Sequence, residues 1–86
     1  MKKLEKLLKA FANARRLEIL KNLLEKKDLT VGQLSKRIKL SFKSTSRHLA
    51  VLFAADLVEK DQHSLEMRYR ICQKQVTIIK TILNLK

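Results

Sequence analysis

The sequence predicts a mostly α-helical domain with a small β-ribbon, in the order α-α-α-α-β-β-α. Three observations carry that expectation. Apolar residues recur at helical spacing through most of the 86 residues. One glycine and no proline are present to interrupt that period. Only after Leu57 does the pattern change to alternation, and it turns helical again after Cys72.

Each element has its own local reason. Leu4, Leu7, Leu8 and Phe11 share a face of a first helix over residues 2–12. Asn13 is placed to cap a second helix that starts at Ala14, and Leu17, Ile19, Leu20, Leu23 and Leu24 give it a broad apolar face. Asp28 breaks that helix. Thr30 and Gln33 have capping-box spacing: the hydroxyl accepts from the third helical amide while the glutamine reaches back, so a third helix covers 31–38. Leu40-Ser41 make a tight turn, and Ser41 caps a fourth helix over 42–55. On that helix Thr45, Leu49, Leu52 and Phe53 share one side. Lys43, Arg47, Ala50 and Ala54 lie roughly opposite, with Ser44 and Ser46 on the flanks. Residues 58–61 and 67–71 read as strands around a turn at 62–65, with Met67, Tyr69 and Ile71 inward and Arg68 and Arg70 outward. Helical spacing returns over 73–85, through Val76, Ile79 and Leu83 with Ile78, Ile82 and Leu85 beside them.

Size and composition narrow the class. Residues 1–86 form a single expected domain, without repeat, linker or low-complexity tract. With 45% apolar residues the chain should fold, but so small a core favours oligomerisation. The one cysteine, Cys72, excludes an internal disulfide and a multi-cysteine metal site. No apolar run approaches the length of a membrane span, and the first residues lack a secretory signal, so a cytoplasmic protein is expected. Net charge is +12. It falls unevenly: residues 30–56 carry five basic groups and one acidic, whereas 57–72 carry three of each. A polyanion partner follows from that balance, although lysine coating of every surface would give a similar total.

This order of elements is that of a winged helix-turn-helix, and four segments carry a more specific likeness. They are Phe11 to Leu20 (FANARRLEIL), Leu29 to Leu34 (LTVGQL), Ser46 to Leu52 (SRHLAVL) and Asp56 to Val58 (DLV). Together they resemble the ArsR-type repressors, in order and without gaps over residues 4–72. The resemblance implies a winged helix-turn-helix fold, a DNA-reading fourth helix, a basic wing and a two-fold dimer. Three positions depart from the family pattern. Lys39 stands where a glycine usually ends the third helix, and a left-handed backbone there costs about 1 kcal/mol. Thr45 stands where a small aliphatic residue is usual, so its hydroxyl needs a carbonyl partner. Phe42 occupies a usually polar position. Some members sense metals through cysteine clusters near the reading helix or Asp/His pairs on the last helix. Neither is present here, so no metal and no cofactor is expected.

Candidate functional residues follow from chemistry and position. Lys43, Ser44, Ser46 and Arg47, behind Ser41, occupy the first turns of the fourth helix, the part that enters a major groove. Arg47 offers a two-donor fork suited to guanine O6 and N7, and serine hydroxyls reach a base edge or a phosphate. The alternative for Lys43 and Arg47 is a solvated helix face, and their coincidence with the reading helix of the family they resemble favours the DNA-reading role. Thr30 and Gln33 sit where free helix N-terminal amides suit a phosphate, or serve as caps alone. His48 is expected half-buried, bonded to backbone or phosphate. Arg68 and Arg70 reach flanking DNA unless Asp61 and Glu66 pair with them. Leu4, Leu7, Leu8 and Phe11 with Val76, Ile79, Ile82 and Leu83 suit a dimer seam between helices 2–12 and 73–85, or else pack on their own subunit. No nucleophile–base pair or carboxylate pair appears, so catalysis is not expected. The expectation is a homodimeric DNA-binding repressor acting on double-stranded DNA at an inverted repeat, with no membrane partner. A protein-interaction module and a non-specific DNA-coating protein are the alternatives.

Overall fold

The computed structural model describes residues 1–85. Five helices and three short strands follow in order: α1 Lys2–Phe11, α2 Ala14–Glu25, β1 Leu29–Thr30, α3 Val31–Ile38, α4 Phe42–Ala54, β2 Val58–His63, β3 Glu66–Ile71 and α5 Val76–Leu83. The architecture is a winged helix-turn-helix.

The caps form as their residue types dictate. Asn13 Oδ1 accepts from the Arg16 amide at 3.1 Å and starts α2. Thr30 Oγ1 accepts from the Gln33 amide at 3.1 Å while Gln33 Oε1 accepts from the Thr30 amide at 2.9 Å, so the capping box is complete. Ser41 Oγ accepts from the Ser44 amide at 3.1 Å and starts α4. Between α3 and α4, Lys39 takes the left-handed conformation at φ 55°, and the Leu40 amide folds back to the Ser35 carbonyl at 3.0 Å. Thr45 is fully buried, and its hydroxyl donates to the Ser41 carbonyl at 2.8 Å. A buried hydroxyl without such an acceptor would be costly, and here the helix supplies one.

The core gathers one face of every helix. Ile19 and Leu20 of α2, Leu34 of α3, Leu49 and Leu52 of α4, Leu57 and Ile79 are fully buried. Tyr69 and Ile71 seal it from the sheet. Arginines brace helix ends from outside. Arg15 donates to the Ile38 carbonyl at the end of α3, and Arg16 donates to the carbonyls of Ala10 and Lys9 at the end of α1. Both place a cation at the negative end of a helix dipole.

Four features differ from the sequence reading. The ribbon gains a third strand: β1 pairs antiparallel with β3, Leu29 opposite Tyr69, giving the order β1-β3-β2. Two residues are too few to show a period, and the strand exists because β3 offers it a free edge. The hairpin is longer than 58–61 and 67–71, since His63 pairs with Glu66 and the turn shrinks to Ser64-Leu65. Ser64 takes φ 57°, the left-handed position that glycine or asparagine usually fills. The last helix is shorter than 73–85, because Gln73–Gln75 form a 3₁₀ turn before α5. The first and fourth helices each stop one residue early, at Phe11 and Ala54.

The left-handed Lys39 generates a stability prediction. Lys39→Gly relieves the steric conflict of Cβ with the backbone and should raise stability by about 0.5–1 kcal/mol. A urea titration reads this as a higher midpoint at constant slope, and an unchanged or lower midpoint would remove strain at this position from the account.

Candidate nucleic-acid interface

The exposed side of α4 is set by its buried side. Thr45, Leu49 and Leu52 face inward and fix the rotation of the helix. Lys43 and Arg47 consequently stand exposed, with Ser44 and Ser46 half-buried on the flanks. The chain has six arginines. Five of them are engaged: Arg15 with Glu18 and the Ile38 carbonyl, Arg16 with α1 carbonyls and His48, Arg37 with Asn22, Arg68 with Asp28, and Arg70 with Asp61. Among the described residues Arg47 is the one arginine that makes no hydrogen bond or ion pair. Its five donors are therefore available to a ligand without breaking an internal contact.

The other candidate positions divide. Ser41 is exposed, but its oxygen already accepts from Ser44, leaving its O–H as a donor. Thr30 is buried and its oxygen is taken by the capping box. Gln33 is exposed and spends its carbonyl on the same box, keeping its NH₂. His48 is half-buried on α4 and lies 3.4 Å from Arg16 Nη1 through Nδ1. Its protein partner is thus a guanidinium rather than a backbone group. Arg16 had no role in the sequence reading. Its position three residues after the cap Asn13 was the one local signal, and its contact with His48 spans 32 residues.

The wing is electrostatically closed. Arg68 binds Asp28 through Nη2 at 2.6 Å and Nε at 2.8 Å. Arg70 bonds to Asp61 and also pairs with Glu59 at 3.3 Å. The Asp61 pairing is as expected, whereas among the described residues Glu66 takes no part and Asp28 and Glu59 supply the other carboxylates. The hydrogen bond from Arg70 holds the Asp61 carboxyl below its ordinary value, and Asp61 in turn raises Arg70. Lys60 is drawn over the Phe53 ring, 4.3 Å from its centroid. The tip instead carries Leu65, almost fully exposed, and it shares a shallow groove with Met67 and the exposed Phe42.

The apolar terminal helices also divide. Phe11 is buried and Ile79 fully so, both in the core of their own chain, which corrects their assignment to a dimer seam. They are consumed because α1 and α5 each need an anchor on α2 and its neighbours. Leu7, Val76, Ile82 and Leu83 pack partly on that core. Leu4 and Leu8 remain 46% and 53% exposed and line a groove on the outer side of α1 with Met1 and Ala12. Among the described residues no three potential ligands converge on a metal position, and no helix is long and apolar enough to cross a membrane.

Comparison with known proteins places this geometry. Residues 13–60 match the family described as bacterial regulatory protein, arsR family. The transcriptional activator HlyU of Vibrio cholerae is 43% identical over 70 residues, which cover 81% of this chain and 64% of that protein. The chain therefore spans less than two thirds of this curated relative. The solved structure of HlyU from Vibrio cholerae superposes with a TM-score of 0.85 at 39% identity, covering 96% of this chain and 90% of that one. The transcriptional repressor PagR of Bacillus anthracis gives a TM-score of 0.81 at 30% identity over 94% and 93% of the two chains. A homodimeric winged helix-turn-helix DNA-binding domain from Mycobacterium bovis, 24% identical, gives 0.88 over 94% of this chain and 75% of that one, a likeness of fold.

The surroundings of His48 generate a pH prediction. Partial burial and the neighbouring Arg16 and Arg15 push its pKa below the ordinary 6.5. The unfolded chain therefore takes up the proton first as pH falls below 6.5. Stability contributed by neutral His48 is complete above that value and declines as pH drops toward the lower, folded value. The melting temperature should fall with acidification in this window, and His48→Gln should flatten the decline. An identical pH slope in parent and variant would show that His48 does not report its surroundings in this way.

Proposed function

The chain belongs to the arsR family of bacterial regulatory proteins, transcriptional regulators rather than enzymes, and on that footing we propose that it acts as a homodimeric, sequence-specific reader of double-stranded DNA in the cytoplasm. Residues 1–86 serve as one DNA-binding domain. The fourth helix enters the major groove by its first turns, Arg47 forks onto a guanine edge, and Lys43, Ser44 and Ser46 contact bases or phosphates. His48 and Ser41 supply further donors along the helix flank, and the exposed NH₂ of Gln33 with the amide end of α3 faces a phosphate. Thr30 contributes by holding that end in place. The observation that carries this reading is the unengaged Arg47 on the exposed side of a helix whose opposite side is locked in the core.

The seam we propose is formed by the outer side of α1, through Leu4 and Leu8, together with the partly covered Leu7, Val76, Ile82 and Leu83. Two-fold pairing would set the reading helices about 34 Å apart, so the operator is an inverted repeat. Arg68 and Arg70 reach DNA only by exchanging their carboxylate partners for phosphates, so the wing adds less salt-dependent affinity than its two arginines imply. Repression is the mode we propose, because occupying a promoter needs nothing beyond DNA affinity. The relatives' names include both an activator and a repressor, and a promoter–reporter assay with and without the protein reads the sign.

Selection from random duplexes should yield a motif with two-fold symmetry, and affinity for it should fall steeply with salt. Recovery of duplexes without a motif would favour a DNA-coating protein. No salt-sensitive duplex affinity would favour a protein-interaction module. Arg47→Ala should cost about 1–3 kcal/mol per contact and relax the preference at one base pair of each half-site. Equal binding of all sequences by parent and variant would remove Arg47 as a reader. Joint Leu4→Glu and Leu8→Glu substitution should leave a folded monomer by sedimentation at concentrations where the parent is a dimer. A variant that stays dimeric would move the seam elsewhere.

A further inference from the structure

Arg16, on α2, stands where the end of α1 meets α4. Nε donates to the Ala10 carbonyl at 2.8 Å and Nη2 to the Lys9 carbonyl at 3.0 Å, which fixes the guanidinium against the end of α1. Nη1 then faces His48 Nδ1 at 3.4 Å. A guanidinium can only donate, so Nδ1 must accept, and the proton of the neutral ring sits on Nε2. Among the described residues Nε2 has no protein partner. It is also not sealed from solvent, because no buried side-chain nitrogen or oxygen is left without a partner. His48 follows Ser44 by one turn and Arg47 by one residue, so the ring lies along the flank of the exposed side of α4.

We propose that Arg16 is a positioning residue, holding the His48 ring so that its Nε2–H points outward and donates to a phosphate of the DNA backbone. The proposal rests on the DNA-reading function given above and adds a residue to it. The ring stays neutral beside Arg16 and Arg15, so the contact is a directed hydrogen bond rather than a counter-charge. It therefore strengthens binding to every sequence alike and releases no counterion of its own. Arg16 also links α1, the helix with the exposed apolar stripe, to the reading helix, so the angle of His48 follows the seat of α1. Lysine in place of Arg16 has one nitrogen for three acceptors and cannot hold all three.

A double-mutant cycle tests this, with duplex affinity measured on the full chain at pH 7.5. His48→Ala and Arg16→Met should each weaken binding to operator and scrambled duplex by a similar factor, roughly five- to tenfold, with the salt slope unchanged. The double variant should be no weaker than Arg16→Met alone. His48→Gln should recover most of the loss, because the glutamine amide nitrogen reaches the place of Nε2, whereas His48→Asn should not. In ¹⁵N spectra of the free protein, with His63 as internal reference, His48 should show a bare Nδ1 and a protonated Nε2, and added duplex should shift Nε2. Circular dichroism at the assay temperature establishes that each variant is folded, and Arg16→Lys replaces Arg16→Met if the latter is not. Additive losses, or His48→Gln as weak as His48→Ala, would overturn the proposal while leaving the DNA-reading function in place. A parent without duplex affinity would instead remove that function, and this contact with it.

Discussion

The rotation of α4 about its own axis decides what the molecule offers to a partner. That rotation is held by Thr45, Leu49 and Leu52, all fully buried, and by the Thr45 hydroxyl on the Ser41 carbonyl. A turn of one residue, about 100°, would bury Lys43 or Arg47 and expose leucine. Burying an unpaired cation costs far more than one apolar contact returns, so the helix has one acceptable setting. The caps on either side of Lys39–Leu40 set where α3 ends and α4 begins, and hence where along its axis the turn bearing Lys43 falls.

Charge is apportioned by pairing rather than by number. The chain carries twenty lysines and arginines, yet the wing's Arg68 and Arg70 are tied to Asp28, Asp61 and Glu59. Arg15 and Arg16 are committed to helix ends. Partly exposed ion pairs of this kind contribute little stability each. Their larger effect is to occupy donors that would otherwise meet a polyanion. What remains is α4 with an unengaged guanidinium beside a hairpin whose tip presents leucine. The exposed Leu65, next to the exposed Phe42 of α4, makes this wing chemically unlike a basic arm.

The apolar surface of the terminal helices is shared between two demands. A domain of this size buries only part of what its unfolded chain exposes, so every large side chain near the core is recruited to it. Phe11 and Ile79 go there, and Leu4 and Leu8 are left outside. A stripe of leucine one turn apart along α1 is the kind of surface that a second copy of the same helix covers by two-fold symmetry. Arg16 connects that helix to His48 on α4, so the seat of one element bears on the other.

Local signals determined most of the fold. The asparagine, threonine and serine caps, the capping box and the 3.6-residue period each lie within a few consecutive residues, and the elements form where those residues place them. The need of Thr45 for a carbonyl and of Lys39 for a left-handed backbone was legible only through the family pattern from which these two residues depart. The candidate reading residues Lys43 and Arg47 were legible because they lie opposite a leucine stripe on one helix. Tertiary structure decided everything that depends on a distant partner. Asp28 meets Arg68 across forty residues, β1 exists only against β3, and Arg16 reaches His48 across thirty-two. Whether Phe11 and Ile79 face the core or a partner is likewise a matter of which helices pack together. A charge or an apolar stripe in a sequence states what must be satisfied, and only the folded chain states which neighbour satisfies it.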